Sequence, residues 1–300
     1  MKEIIDKISE LKEQRNATIL AHNYQIGEVQ EIADFVGDSF ALSKKAKETA
    51  CDVIVFCGVH FMAETAKILS PQKTILLPVR DAGCPMADMV TVPDVEALRK
   101  AHPDAAVVCY VNSSAEVKAV SDVCCTSSNA VSVIRSLPNH RIIFIPDENL
   151  GDYVARQLPD KEIILFEGYC TTHKRVTLEE TDAARKAVPD AKLLVHPECR
   201  PEVVAKADFA GSTSQIIDYV TNAEDRRFII GTEQGVLHWL KQKHPDKKFY
   251  LLSQKLICPN MKKTTLKTVL TALETMTYQI RLSEQIIERA YGSLEKMLRI

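Results

Sequence analysis

The 300-residue chain has no Walker phosphate loop and no Gly-x-Gly-x-x-Gly after an apolar run. Nucleotide-triphosphate and nicotinamide cofactors are therefore unsupported. It also lacks any long block of one charge. A formal net charge of −2 and a pI near 6.5 argue against a general electrostatic grip on nucleic acid or anionic lipid. No stretch approaches the roughly 20 apolar residues that span a bilayer. Met1 to Lys7 alternates charged and apolar residues without the apolar core of a signal peptide. A cytoplasmic protein with no nucleic-acid or membrane partner is expected. Closely spaced Cys-x-x-Cys pairs, the usual mark of a zinc site, are missing although the chain has nine cysteines. The odd count, in a compartment that keeps thiols reduced, excludes a complete disulfide framework.

What the chain does have is a threefold internal repeat. The apolar run Thr18 to Tyr24 corresponds to Ala106 to Asn112 and to Lys192 to Glu198, so that His22, Tyr110 and His196 align, with 110 − 22 = 88 and 196 − 110 = 86. The same offsets align Ala33-Asp34-Phe35 with Ser121-Asp122-Val123 and Ala207-Asp208-Phe209. They also align Val53 to Phe56 with Arg141 to Phe144 and Arg227 to Ile230, and Thr74 to Leu77 with Glu162 to Leu165 and Lys248 to Leu251. Short β-branched runs alternate with helical periods; in the first copy Gln30–Phe35, Ser39–Thr49 and Ala63–Leu69 read as helices. Nearly continuous apolar strands suit a parallel sheet covered on both faces. The expected fold is α/β: three repeated three-layer α/β/α domains with small parallel sheets around a pseudo-threefold axis. The units span about 1–90, 91–175 and 176–262. No Gly/Ser- or Pro-rich linker separates them, which predicts close packing. The remainder, 263–300, reads as a helical tail packing on the domains, with Ile286, Ile287, Ala290, Leu294, Met297 and Leu298 on one stripe.

Three cysteines share a register. Cys84, Cys170 and Cys258 each follow the last strand of a unit, with 170 − 84 = 86 and 258 − 170 = 88. Loops at corresponding points of a pseudo-threefold array can meet on its axis and bring three thiolates together. That arrangement matches one face of a [4Fe–4S] cubane and leaves one iron for water or substrate. Zinc with three thiolates is the alternative by symmetry alone. Cys51, Cys57, Cys109, Cys124 and Cys125 lie in or beside apolar runs and read as packing residues. Cys199, in a loop after Glu198, fits neither group clearly.

Ligands of parallel sheets bind beyond the carboxyl ends of the strands. There the first strand carries His22, Asn23 and Tyr24, and its equivalents carry Tyr110, Asn112, His196 and Glu198. Such proton-transfer and hydrogen-bonding side chains at matching places suggest acid–base chemistry. Gly37-Asp38-Ser39, Thr126-Ser127-Ser128 and Gly211-Ser212-Thr213-Ser214 each precede a helix. They serve as N-caps, and helix starts also bind phosphate and carboxylate. His60 and Glu64 read as a helix start. His102-Pro103-Asp104, Pro189-Asp190 and His244-Pro245-Asp246 read as turns ahead of strands.

Over nearly its whole length the chain resembles the quinolinate synthases of NAD biosynthesis. The resemblance rests on Ala21-His22-Asn23-Tyr24-Gln25, Ile32 to Ser39, Phe61-Met62-Ala63-Glu64, Cys84-Pro85-Met86-Ala87, Tyr110 to Ser113, Cys125 to Ala130, His196-Pro197-Glu198-Cys199, Gly211-Ser212-Thr213 and Cys258 to Lys262. It implies condensation of iminoaspartate with dihydroxyacetone phosphate to quinolinate, phosphate and water. It further implies a [4Fe–4S] cluster on Cys84, Cys170 and Cys258, and an aspartate oxidase or dehydrogenase as supplier of iminoaspartate. Tyr24 and Glu198, with His22 and His196, take catalytic roles by this resemblance. Ser39, Tyr110, Asn112, Ser127, Ser212 and Thr213 take substrate-binding ones. One departure is Gly168-Tyr169-Cys170, where family members tend to have Gly-His-Cys; His173 is kept. The third loop has one cysteine followed by Met261, so it offers no neighbouring thiol for a disulfide switch. Two other readings explain part of the pattern: a non-enzymatic iron–sulfur sensor or electron carrier, and a zinc-dependent lyase on a phosphorylated ketose.

Overall fold

A computed structural model describes residues 1–300. One order of elements recurs three times. The first unit runs α1 (Lys2–Gln14), β1 (Ala17–His22), α2 (Gly27–Ile32), β2 (Phe35–Gly37), α3 (Ser39–Glu48), β3 (Val53–Cys57), α4 (His60–Leu69), β4 (Thr74–Leu76). The second runs α5 (Val92–Ala101), β5 (Ala106–Tyr110), α6 (Ala115–Ala119), β6 (Val123–Cys125), α7 (Ala130–Ser136), β7 (Arg141–Ile145), α8 (Glu148–Gln157), β8 (Glu162–Leu165). The third runs α9 (Leu178–Ala187), β9 (Lys192–Val195), α10 (Pro201–Val204), β10 (Phe209–Ala210), α11 (Thr213–Asn222), β11 (Arg227–Gly231), α12 (Val236–Lys243), β12 (Lys248–Leu251). Each set forms a four-stranded sheet, in the orders β2-β1-β3-β4, β6-β5-β7-β8 and β10-β9-β11-β12. All strand pairs within them are parallel. The α/β repeat read from the sequence is thus the architecture of the molecule.

The central strands of the first and third sheets are buried on both faces, as continuous apolar strands require. In β1, Ile19 joins Ile8, Val55 and Val269 on one face, while Leu20 joins Phe56, Ile68 and Leu69 on the other. In β9, Leu193 and Val195 face one layer and Leu194 the other. The core reached from Leu20 continues into the second unit through Val108, Phe144 and Ile145, so the first two units share apolar packing.

The short second strands depart from the sequence reading. Gln30–Phe35 is not one helix: α2 ends at Ile32 and Phe35 opens β2. The break is a carboxylate device repeated three times. Asp34, Asp122 and Asp208, just ahead of β2, β6 and β10, each accept the backbone N–H of the first strand, from Ile19, Val107 and Leu193, at 2.7 Å. Their own N–H groups donate back to the same residues' carbonyls at 2.9, 3.0 and 2.8 Å. A short polar side chain that satisfies the neighbouring strand's backbone competes with continuing the helix.

The tail contains α13 (Leu266–Thr275) and α14 (Glu284–Arg299). Leu266, Val269 and Leu273 close the Ile19 face of the first sheet. Ala290, Leu294 and Met297 of α14 are buried in the core shared with the second unit. Ser293 Oγ donates to Lys118 O at 2.9 Å and Asn129 Nδ2 to Met297 O at 3.2 Å, which pins α14 to that unit. No helix is long and apolar enough to cross a membrane.

Candidate active site

Parallel topology sends the carboxyl ends of β1, β5 and β9 toward one cavity. His22, Tyr24, Ser39, Cys84, Tyr110, Asn112, Ser127, Cys170, His196, Glu198, Thr213 and Cys258 all line it. Of the residues given catalytic, substrate-binding or cluster-ligand roles from the sequence, only Ser212 does not. Its hydroxyl accepts the Gln215 N–H at 3.3 Å as the N-cap of α11 and is fully buried. The neighbouring Thr213 reaches the cavity instead.

Two imidazoles are set by the same local turn. His22 Nδ1 accepts the Tyr24 N–H at 3.1 Å, and His196 Nδ1 accepts the Glu198 N–H at 3.2 Å. With Nδ1 as acceptor, a neutral ring carries its proton on Nε2, and that atom of His196 lies 3.2 Å from Ser127 Oγ. Burial keeps both rings neutral by lowering their pKa to about 4, despite the opposing pull of Asp38 on His22 and of Glu198 on His196.

Glu198 is gripped on both oxygens. Tyr110 donates its hydroxyl to Oε1 at 2.6 Å, and His173 Nδ1 lies 2.7 Å from Oε2. Burial raises the carboxyl pKa, but His196, His173 and the Tyr110 hydrogen bond outweigh it and hold the group below the usual carboxylate range. The chain of contacts continues. His173 Nε2 is 3.1 Å from Thr232 Oγ1, which is 2.6 Å from the Tyr24 hydroxyl, and that hydroxyl is also 2.8 Å from Thr213 Oγ1. A hydrogen-bonded path thus joins Tyr24 to Glu198 and Tyr110 through residues of all three units. Burial and the nearby Glu198 charge push both tyrosine pKa values well up, so both remain phenols at neutral pH.

The helix starts are joined as well. Asp38 Oδ1 accepts the Ala41 N–H at 3.0 Å as the cap of α3. Its Oδ2 accepts Ser128 Oγ at 3.0 Å and Ser214 Oγ at 2.5 Å, one from each of the other units. Asn112 lines the same cavity, and its Oδ1 is buried with no partner in the protein.

The three register-matched thiols are unpaired, and each sulfur faces backbone N–H groups a short way downstream. These are Met86 and Ala87 for Cys84, His173 for Cys170, and Asn260 and Met261 for Cys258. Burial pushes the Cys84 thiol up to about 12 and raises Cys170 and Cys258. Cys57, Cys109, Cys124, Cys125 and Cys199 are fully buried elsewhere, which resolves Cys199 as a packed residue. Cys51 is a correction: it is only half-buried, in the loop before β3.

Sequence reasoning passed over Thr232, Glu233, Asp147 and Asp38 as site residues. Asp147 and Glu233 occupy equivalent positions after β7 and β11, with 233 − 147 = 86, so the repeat offset was the signal that could have found them.

The quinolinate synthetase A protein family matches residues 6–299. The quinolinate synthase of Caldicellulosiruptor saccharolyticus is 60% identical over 294 residues, covering 98% of this chain and 97% of that one. Those of Alkaliphilus metalliredigens and Methanosarcina acetivorans, the latter named quinolinate synthase 2, are 57% and 52% identical over 297 residues. They cover 99% of this chain and 98% and 96% of theirs. The chain belongs to the quinolinate synthetase A family. It is an enzyme with that family's activity, quinolinate synthesis, which sets aside the reading as a non-enzymatic sensor or electron carrier. In this family member the departure at Tyr169 is accommodated outside the cavity. Lys174 Nζ lies 3.6 Å from the Tyr169 ring centroid, and the Tyr169 N–H donates to Met89 Sδ at 3.4 Å. Neither contact draws on the Cys170 sulfur.

Proposed function

We propose that the chain condenses iminoaspartate with dihydroxyacetone phosphate to quinolinate, phosphate and water in this cavity, with a [4Fe–4S] cluster on Cys84, Cys170 and Cys258. The observation that carries this reading is the meeting of three thiols and the Tyr24–Glu198 network on one cavity. The donor set fits a cluster. Three cysteines from equivalent loops line the same cavity, each sulfur faced by backbone N–H groups that stabilise thiolate ligands, and the other cysteines do not line it. When bound, such a cluster supplies an iron with no protein ligand as a Lewis acid.

The residues around it divide the remaining work. Both substrates are anionic, and Ser39, Ser127 and Thr213 offer hydroxyls at the helix starts to carboxylate and phosphate oxygens. His22 and His196, neutral with Nε2–H available, act as donors that orient or polarise carbonyl and imine groups. Asn112 Oδ1 accepts from the substrate. Glu198 stays ionised and is the proton acceptor; Tyr24, held as a phenol, is the donor. Thr232 and His173 connect the two, so a proton taken at Glu198 can return through Tyr24. Burial excludes bulk water from a sequence that ends in dehydration. A reducing cytoplasm suits nine unpaired cysteines, and an aspartate oxidase or dehydrogenase is the source of iminoaspartate.

Zinc at this site in place of a cluster is the second reading, because donor atoms of Cys170, His173 and Glu198 lie within 4.8 Å of one another. His173 and Glu198 are already hydrogen-bonded to each other, and this reading leaves Cys84 and Cys258 idle. Anaerobic purification with iron, sulfide and zinc analysis separates the two. About four irons and four sulfides per chain are expected, together with quinolinate formation from enzymatically generated iminoaspartate and dihydroxyacetone phosphate. Stoichiometric zinc without sulfide rejects the cluster, and a loaded chain that forms no quinolinate rejects the reaction.

A further inference from the structure

Each unit ties the start of the helix after its third strand to its cysteine loop. The N–H groups of His60, Glu148 and Gln234 donate to the carbonyls of Ala82, Gly168 and Leu256 at 2.8, 2.8 and 2.9 Å, each acceptor two residues before its cysteine. One position earlier the symmetry breaks. The equivalent residues are Val59, Asp147 and Glu233, with 147 − 59 = 88 and 233 − 147 = 86.

Asp147 and Glu233 are fully buried, and each divides its two oxygens in the same way. Asp147 Oδ1 accepts the Leu150 N–H at 2.7 Å in the first turn of α8, and Oδ2 accepts the Cys170 N–H at 3.0 Å. Glu233 Oε2 accepts the Gly235 N–H at 2.7 Å at the start of α12, and Oε1 accepts the Cys258 N–H at 3.1 Å. Lys262 Nζ lies 2.9 Å from the Glu233 carboxylate. In the first unit Val59 makes no side-chain cap, and the Cys84 loop has no such clasp. A buried acid with two donors on opposite oxygens is expensive to place and geometrically demanding. Two of them, each hydrogen-bonded to the backbone of a cysteine, call for a reason.

Resting on the cluster reading above, we propose that Asp147 and Glu233 are positioning residues for Cys170 and Cys258. Each fixes its cysteine's backbone against a rigid helix start, and so fixes where the sulfur points.

The substitutions Asp147→Asn and Glu233→Gln keep shape but offer one acceptor oxygen where two are used, so one N–H is left facing an amide NH2. Asp208→Asn is the control. It alters an equally short carboxylate–backbone bond, to Leu193 N–H at 2.7 Å near the amino end of β9, remote from the cysteines. Iron and sulfide content, the rate of iron loss to a ferrous chelator and the thermal midpoint are measured anaerobically on each full chain. D147N and E233Q are expected to lose iron at least ~10-fold faster than the parent. D208N is expected to lower the thermal midpoint alone. Wild-type rates of iron loss in a folded D147N or E233Q, or equal changes in D208N, overturn the proposal. Because each acid serves its own cysteine, either variant decides it if the other does not fold. A parent chain with no sulfide removes the cluster reading and this one together, whereas a loaded parent with unaffected variants removes this one only.

Discussion

The Tyr110 hydroxyl donates to Glu198 Oε1 at 2.6 Å, joining the end of β5 to the loop after β9. With His173 on the other oxygen at 2.7 Å, the carboxylate keeps its charge in a buried site. Glu198→Gln preserves the outline and removes the charge and the proton acceptor. Turnover is expected to fall by about 10²- to 10⁴-fold, with iron and sulfide content unchanged. Anaerobic kinetics alongside metal analysis check this; a variant with parental kcat takes Glu198 out of the proton path.

Tyr24 depends on a different pair of contacts. Its hydroxyl sits between Thr213 Oγ1 at 2.8 Å and Thr232 Oγ1 at 2.6 Å. Tyr24→Phe is expected to retain the cluster and lose about 100-fold or more in kcat. Thr232→Val keeps the phenol but cuts its link to His173 Nε2, and its loss should be smaller and fall on kcat more than KM. Equal effects of the two substitutions would mean that the link, and not the phenol, carries the proton.

The sequence made the repeat legible because apolar strands at the centre of a sheet and the loops that leave them recur at a constant offset. The β1, β5 and β9 equivalents, the third and fourth strands and the three cysteines were all found in this way. The second strands were not. At two or three residues, Phe209–Ala210 and Phe35–Gly37 are too short to show a period of two. Ile32 also extends the preceding helical pattern up to Asp34, whose bond to Ile19 N–H cannot be seen in a linear chain. At the site, positions were legible and partners were not. Ser212 and Thr213 are adjacent in a capping motif, and only packing decides which one faces the cavity. Asp38 was visible as a cap, but its second oxygen reaches serines 90 and 176 residues away.

Those two serines make Asp38 a tie between the three units. Asp38→Ala leaves Ser128 and Ser214 without their acceptor and uncaps α3. A loss of about 1–3 kcal/mol in unfolding free energy is expected, with a raised KM because Ser39 and Ser127 lie beside the affected helix starts. Urea titration and steady-state kinetics test both parts. An unchanged KM would separate the tie from substrate binding.

Stability should fall on acidification below neutrality. His22 and His196 have an ordinary pKa of 6.5, which burial lowers to about 4 in the folded chain. Asp38, Lys262 and Glu198 face His22; Glu198, His173, Asp38 and His22 face His196. Between these two pH values the unfolded chain binds more protons than the folded one, so stability rises with pH across the window. It is fully present above the upper limit and decreases toward the lower. Each ring contributes up to about 1.4 kcal/mol per pH unit. Glu198, held below the ordinary carboxylate range, acts in the same direction at still lower pH. Urea midpoints at pH 7, 6 and 5 should decline in order, and His22→Gln should flatten the slope. A constant midpoint would show that the two rings titrate alike in the folded and unfolded chains.

The cysteines divide by where they point, and substitution should divide them likewise. Cys84→Ser removes one of three sulfurs lining the cavity, and hydroxyl oxygen is a poor ligand for iron that prefers thiolate. Most of the iron and sulfide, and with them all turnover, should be lost, while the thermal midpoint of the iron-free chain stays near that of the iron-free parent. Cys57, fully buried on β3 with its thiol pKa raised by burial, is a packing residue. Cys57→Ala should cost about 1 kcal/mol of stability through the small cavity it leaves and keep the full complement of iron and sulfide. Loss of iron in Cys57→Ala would remove its packing-only role, and retention of iron and sulfide in Cys84→Ser would mean that the shared register of Cys84, Cys170 and Cys258 reflects the repeat alone and not a common ligand.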